Sequence, residues 1–367
     1  MVKFGEIISG SLEWTITVLF RPFSPKKWLI LGFVAFLGGA LIGGNLNLHS
    51  NRDYHTKEAK AEQLYSQRSL DQSKTCPLSN VSQLKDNIKS YLQKIAGPDF
   101  VFVFTAIAFA IFLILLLFLW LGARFHFIFL EDVTKNDASI IAPFKSNRGI
   151  GNSFFRFHIL LLLISLIIFV LIVLGCIMAL FKIGIFNPGA SPDFLKILSA
   201  LSPFILLLVV FLVISIFIYI IVNDLALVVM YKDRIGIIAA IKKVLSLLGA
   251  NKLNFLLYVL IKWGLAVCAY LIYNVVYFVT FLGLLFPALT AASFLYFIYK
   301  IIPKDVQSVF LAVVVIIAIP IILFLWYCFM CISLPFAVFF RTFSIKFLGK
   351  LDSRYNLFVY TDISSRE

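Results

Sequence analysis

The sequence predicts an all-α polytopic membrane protein with six transmembrane helices and interfacial amphipathic helices on the cytoplasmic face. Hydrophobic residues make up 62% of the 367 residues, and the mean hydropathy is +1.01. Soluble domains are about 45–50% apolar. Residues 99–121 carry no charge after the first residue, and roughly 20 such residues in a helix cross a bilayer core. Similar runs recur along the chain and alternate with basic amphipathic segments.

Residues 1–27 are predicted to lie at the cytoplasmic interface and not to be a cleaved signal. Charges at Lys3, Glu6, Glu13 and Arg21 interrupt the apolar stretch. No small-residue cleavage site follows the first apolar run. We therefore expect the first transmembrane helix to act as an uncleaved anchor.

The first transmembrane helix is predicted at residues 28–44. Ser24 can cap its start, and Pro25 suits the first helical position because its missing N–H has no partner there. Ala35, Gly39 and Gly43 recur every four residues, which is typical of a helix-packing face. Packing within the chain is favoured, with dimerisation as the alternative.

Residues 45–98 are predicted to form an extracytoplasmic polar loop that contains an amphipathic helix. Apolar residues recur there at helical spacing, at Val81, Leu84, Ile88, Leu92 and Ile95. At roughly 50 residues, this segment is too long for a plain connector.

Five further transmembrane helices are predicted, at residues 99–121, 158–181, 203–231, 262–284 and 308–334. The sequence between and after them is predicted as a cytoplasmic loop at 122–157, a cytoplasmic amphipathic helix at 232–261, a re-entrant or interfacial segment at 285–307, and a cytoplasmic tail at 335–367. Trp28, Lys262 and Trp263 are predicted as interfacial anchors, since aromatic and basic residues collect at headgroup level. Lys262 is expected to extend its ammonium group towards the headgroups.

The distribution of Lys and Arg predicts the orientation. There are 4 in the N-terminal segment, 5 in each of 122–157 and 232–252, and 5 after Leu334, against 2 in each of the other two short loops. Basic residues mark cytoplasmic loops. Both termini are therefore predicted to be cytoplasmic, in the inner (cytoplasmic) membrane of the cell.

Each cytoplasmic exit has a charged residue followed by an amphipathic segment. In the second of these segments, Ile235–Leu248, the predicted apolar face is Ile237, Ile238, Ile241, Leu245 and Leu248. The predicted polar face is Lys242, Lys243 and Ser246. Such a helix is expected to lie along the membrane surface.

The chain resembles a family of prokaryotic multipass membrane proteins known only as a domain of unknown function. The resemblance covers nearly the whole chain and lies in short aromatic-rich motifs. These are Arg21-Pro-Phe with Lys27-Trp-Leu-Ile-Leu-Gly-Phe, Arg124-Phe-His-Phe-Ile-Phe, Pro143-Phe-Lys, Phe155-Arg-Phe and Phe340-Arg-Thr-Phe-Ser-Ile-Lys-Phe-Leu-Gly. The resemblance implies the multipass fold and no activity.

Asp224 and Asn223 lie in an otherwise apolar run near the cytoplasmic end of the fourth span. A carboxylate at membrane depth is costly and usually has a partner. Arg124 and Arg341 are predicted at the same depth, so the four residues form a candidate structural polar cluster. A polar headgroup site, or exposure to interfacial water, is the alternative.

No catalytic, cofactor-binding or metal-binding residues are predicted. His126 and His158 flank the second loop without the spacing of a metal site, and no nucleophile motif occurs. We therefore expect a non-catalytic integral membrane protein that scaffolds partners or organises envelope lipids, and not an enzyme. The alternative is a transporter or permease component for a lipid or another hydrophobic substrate. The predicted partners are membrane lipids with anionic cytoplasmic headgroups and a membrane protein, and no nucleic acid.

Overall fold

A computed structural model describes residues 2–43, 98–184 and 193–358, without the side chains of 42, 43 and 98–101. The predicted loop at 45–98, apart from Pro98, and the last nine residues lie outside these ranges. The regular elements within them are all helices, which confirms the all-α class. The chain divides into two compact units, Leu46–Phe118 and the combination of Met1–Asn45 with Leu119–Glu367.

The N-terminal region forms α1 (Phe4–Phe20), α2 (Pro25–Leu37) and α3 (Ala40–Gly43). The Ser24 hydroxyl caps α2 as predicted and accepts the N–H of Lys27 at 3.5 Å. The structure differs from the predicted single span at residues 28–44, because α2 ends before Gly38 and Gly39 turns the chain with φ +66°. A 13-residue helix is about 20 Å long, shorter than a hydrocarbon core of about 30 Å.

This turn also changes the predicted packing face. Ala35 is fully buried, but Gly39 lies in the turn and Gly43 belongs to α3, so the three residues do not share one helix face. The close approach occurs at Gly38, where a Cβ atom would lie 3.1 Å from the backbone carbonyl carbon of Phe125. The packing is thus made within the chain, by a glycine next to the predicted one.

Five long helices carry runs that are apolar and long enough to cross a membrane. They confirm a multipass membrane protein and correspond to the second to sixth predicted spans. In chain order they are α4 (Pro98–Lys135), α6 (Arg148–Ile183), α7 (Phe194–Tyr219), α10 (Lys252–Ile301) and α11 (Lys304–Cys331). The short α5 (Ile141–Ser146) precedes α6.

The fourth and fifth predicted spans differ from simple α-helices of the predicted length. A π-helical segment, Ile220–Ala226, joins α7 to α8 (Leu227–Asp233). α10 runs unbroken through Pro287 and includes most of the segment predicted separately at 285–307. Its end at Ile301 is set by Pro303, because the residue before a proline is driven out of the helical conformation.

The remaining helices are α9 (Ile237–Ala250) and α12 (Leu334–Leu351), which is followed by a short 3₁₀ turn at Ser353–Tyr355. The amphipathic helix predicted at Ile235–Leu248 is therefore α9. Its buried face is Ile237, Ala240, Val244 and Leu248. Ile238 and Leu245 were predicted on the apolar face but are 64% and 50% exposed.

Packing concentrates where the predicted cytoplasmic segments meet. We call this region the packed base: α1, α2, α5, α9 and α12, together with the adjoining ends of α4, α6, α8 and α10. Two hydrophobic clusters fill it, one around Phe127, Phe154 and Phe347 and the other around Leu31 and Phe129. By contrast, at most 6% of residues are buried in the most apolar stretch of each long helix.

The terminal helices α1 and α12 pack along each other within the packed base. Gly10 of α1 faces the Lys346 side chain, so a Cβ at this position would meet that lysine. On the surface, the Glu6 carboxylate lies 3.4 Å from the Lys3 ammonium and 3.2 Å from the Lys350 ammonium. α1 and α12 are therefore held together by both close packing and an ion pair.

Candidate functional site

The π-helical segment positions the two polar residues that the sequence singled out. In a π helix the N–H groups bond carbonyls five residues back, so the turn is wider than an α-helical turn, and such turns recur at functional sites. Within this segment the Asn223 carbonyl accepts a hydrogen bond from the Arg341 guanidinium at 2.7 Å. The π turn thus connects α7–α8 to α12.

Asp224 forms an ion pair with Lys262 of α10. The sequence predicted Arg124 or Arg341 as its partner and expected the Lys262 ammonium to extend to the headgroups. The structure differs on both points, since the Lys262 and Asp224 side chains are only 17% and 14% exposed. The direction of the Lys262 side chain depends on how α10 is rotated, which hydropathy does not show.

Arg341 is 7% exposed and lies on α12 beside the π segment. Its guanidinium carbon is 5.9 Å from the centre of the Phe129 ring. The charge of Asp224 acts on both Arg341 and Lys262. Asn223, Asp224 and Arg341 are therefore brought together as predicted, with Lys262 as the added member. We call these four residues the polar cluster.

An aromatic stack adjoins the polar cluster. The Lys262 ammonium lies 5.8 Å from the centre of the Tyr258 ring. Tyr258 is fully buried and stacks on Phe347 and Phe343, with ring centres 4.2 Å and 5.5 Å apart. Its hydroxyl lies 2.8 Å from the Ser344 hydroxyl. α10 and α12 are thus held together by apolar and polar contacts beside the charges.

Arg124 is 6% exposed. Its contacts are separate from the Asp224–Lys262 ion pair. One of its amino groups donates to the Asn152 side-chain oxygen at 3.1 Å. Its guanidinium carbon lies 4.1 Å from the Trp120 ring centre and 4.8 Å from that of Phe144. Arg124 therefore supports the contact of α4 with α5 and α6, and the structure does not pair it with Asp224.

The two histidines that flank the second loop both contact Phe154. His126 is in edge-to-face contact with Phe154, with ring centres 5.6 Å apart. The His158 Nδ1 lies 3.1 Å from the Phe154 carbonyl oxygen. Among the described residues, no three His, Cys, Asp or Glu side chains come together as metal ligands would.

The predicted interfacial tryptophans differ in their surroundings. The Trp28 indole N–H donates to the Leu19 carbonyl at 2.7 Å, and its ring contacts Phe20 and Phe23. Trp263 is 60% exposed. Trp28 thus closes the turn between α1 and α2, while the Trp263 ring is available to lipid.

A second polar network, centred on the buried Glu131 and Asn147, links α4 to the residues that flank α6 and α8. The Glu131 carboxylate binds the Lys135 ammonium at 2.6 Å and accepts from the Asn147 amide at 2.8 Å. Arg234 donates to the other side of the same amide at 2.5 Å. Sequence reasoning missed this network because its members lie up to about 100 residues apart in loops that carry no motif.

Comparison with known proteins identifies a family but no relative of known activity. A model of a family of unknown function, DUF7544, matches residues 6–358. Neither a curated protein nor a solved structure matches the chain. The match covers every long helix and all four residues of the polar cluster.

Proposed function

We propose a function from the structure itself, because the chain belongs to the DUF7544 family, which has no assigned function. In our proposal the protein is a non-catalytic integral membrane protein that organises lipids and scaffolds partner proteins. Its packed base lies at the cytoplasmic face of the inner membrane, with both termini on that side. The observation that carries this proposal is the contrast between the packed base and the uncovered long helices.

Side chains of the long helices face outward along their apolar stretches. Apolar surface of this extent must be covered by acyl chains or by another membrane protein. Among the described residues, packing is dense in the packed base and sparse along the apolar stretches of the long helices. This arrangement suits a base that holds its position by protein contacts and presents its helices to lipid or to a partner.

The outer surface of the packed base favours anionic headgroups. α9 exposes Ile238 and Leu245 beside Lys242 and Lys243, a combination typical of helices that bind at membrane interfaces. Further exposed basic residues lie on the predicted cytoplasmic segments, at Arg21, Lys26, Lys145, Arg148, Arg156, Lys232, Arg234, Lys252 and Lys350. Anionic lipids of a cytoplasmic leaflet attract such groups by about 1 kcal/mol each.

The alternative, a transporter component for a lipid or other hydrophobic substrate, has one observation in its favour. The π segment with its ion pair lies inside a long apolar helix, and intramembrane charges often mark a substrate pathway. Transport would require the Asp224–Lys262 pair to open and close. Replacement of both residues by Asn and Met would then abolish function without loss of protein.

Native mass spectrometry of protein gently released from its own membrane tests the proposal. We expect lipids in fixed stoichiometry, enriched in anionic headgroups, or a defined partner subunit. Charge reversal of Lys242 and Lys243 to Glu should reduce the enrichment of anionic lipids in the bound fraction and leave the protein folded. A bare monomer with only nonspecific lipid would contradict the proposed function.

A further inference from the structure

We infer that Lys262 and Arg341 form a binding site for a phosphate group, supplied by an anionic lipid headgroup or by free phosphate. This inference rests on the proposed lipid-organising function, for which it names the ligand chemistry and the residues. It is carried by the charges of the polar cluster, by its unused hydrogen-bond donors and by its access to the surroundings.

The charges of the polar cluster do not balance. Lys262 and Arg341 bring two positive charges, and among the described residues Asp224 is the one carboxylate whose charge acts on both. Asp224 is already in contact with Lys262, and no described carboxylate forms an ion pair with Arg341. An uncompensated buried charge is costly, so the cluster favours a further anion.

The donors of the cluster match a phosphate group. An arginine has five N–H donors and a lysine has three. In the described structure one Arg341 donor reaches the Asn223 carbonyl and one Lys262 donor reaches Asp224. Arginine binds phosphate oxygens through two parallel bonds, and lysine binds them as a point charge. One acceptor with several oxygens therefore suits both side chains.

The cluster is also accessible from one side. Arg341 is 7% exposed, whereas the Lys262 and Asp224 side chains are 17% and 14% exposed. Each of the three charged residues thus keeps a small exposed fraction. The next residue in the chain, Trp263, is 60% exposed, and exposed indole rings are common where headgroups meet a helix.

The two sides of the ion pair give a test with opposite outcomes. Lys262→Met keeps the side-chain length and leaves Asp224 to neutralise Arg341, so the excess charge disappears. Asp224→Asn keeps the side-chain shape and leaves two cations unopposed, so the excess charge grows. Lys300→Met removes an exposed lysine near the other end of α10 and serves as the matched control.

We would measure binding of dioleoyl phosphatidylglycerol and dioleoyl phosphatidylcholine to the full chain by native mass spectrometry. A parallel thermal unfolding series would use sodium phosphate against sodium chloride at equal ionic strength. For Lys262→Met we expect binding to fall by about tenfold or more, as for loss of a hydrogen bond to a charged group. Asp224→Asn should bind at least as tightly as the unchanged protein, and Lys300→Met equally well.

Each result decides the inference. A preference for phosphatidylglycerol with this pattern supports a lipid headgroup, and stabilisation by phosphate alone with the same pattern supports free phosphate. Equal loss in Lys262→Met and Asp224→Asn would mean that the pair is only structural, and would overturn the inference. Lipid binding that no variant alters overturns it but leaves the proposed function intact. If the unchanged protein binds no lipid, the proposed function fails, and the phosphate series alone decides the inference.

Discussion

At the residue scale, Tyr258 combines aromatic, cationic and hydrogen-bond contacts in the packed base. Its ring is stacked between α10 and α12, and its hydroxyl reaches Ser344 in a fully buried position. This role could not be predicted from the sequence, because an aromatic residue in an apolar run is equally suited to face lipid. Only the contact partner, which lies 86 residues away, distinguishes the two cases.

Tyr258→Phe should therefore lower the free energy of unfolding by about 1 kcal/mol, the usual net value of a buried hydrogen bond. The ring contacts remain, and Ser344 keeps its bond to the Phe340 carbonyl at 2.9 Å. Tyr258→Ala should cost about 3–5 kcal/mol, because it also removes the ring from the core. Unfolding in detergent measures both, and equal losses would show that the hydroxyl carries the whole effect.

Glu6 gives a pH prediction outside the membrane helices. Hydrogen bonds to Lys350 and then Lys3 lower the pKa of Glu6 below its ordinary value of 4.5. A lowered pKa in the folded state means that the contact stabilises α1 on α12 above pH 4.5. The stabilisation is lost as the pH falls through the lowered pKa.

The unchanged protein should therefore lose more thermal stability between pH 6 and pH 3.5 than Glu6→Gln does. Glu13→Gln is the comparison, because Glu13 is exposed on the same helix and its charge acts on Lys346 of α12 without an ion-pair contact among the described residues. If both variants follow the unchanged protein, the charges between the terminal helices do not stabilise their contact.

At the element scale, helix positions were predictable and helix rotations were not. The runs at 158–181 and 308–334 lie within α6 and within α11 and the start of α12, because length and hydropathy determine a span. The π segment was missed, although it contains Asn223 and Asp224. An extra residue in a turn rotates everything after it by about 100°, so a regular helical wheel assigns the wrong neighbours.

The turn at Gly38 offers a test of close packing between α2 and α4. Gly38→Ala would place a Cβ 3.1 Å from the Phe125 backbone and 3.2 Å from the His126 nitrogen. Backbone atoms cannot rotate away, so we expect a loss of about 1–3 kcal/mol, as for other overpacked sites.

Gly249→Ala is the matched control, since a Cβ there meets nothing within 4 Å. It lies in α9, where replacing glycine should stabilise the protein by about 0.5–1 kcal/mol. Thermal unfolding of the two variants should thus move in opposite directions. A neutral Gly38→Ala would mean that α2 and α4 can separate at no cost.

At the scale of the whole molecule, the packed base joins segments that were predicted to share one side of the membrane. Basic-residue counts grouped the N-terminal segment, 122–157, 232–252 and the tail. The structure packs α1, α5, α9 and α12 from these segments together. What the counts could not show is that these segments, and not the apolar spans, form the core.

Labelling with a membrane-impermeant thiol reagent checks the orientation. With native cysteines replaced, Lys145→Cys, Lys242→Cys and Ser353→Cys should react only when the cytoplasmic side is open. Lys196→Cys and Lys304→Cys, at the starts of α7 and α11, should react from the outside of intact cells. Labelling of Lys145→Cys and Lys304→Cys from the same side would contradict the arrangement.

The unbroken course of α10 has a mechanical consequence. From Lys262 to Ile301 the helix is about 60 Å long. Even at a tilt of about 40°, it extends about 45 Å along the membrane normal. A typical hydrocarbon layer is about 30 Å thick. The far end of α10 is itself apolar. The bilayer must therefore thicken locally to cover it, or another membrane protein must contact it. We expect this hydrophobic mismatch to favour thicker bilayers or contact with a neighbouring membrane protein.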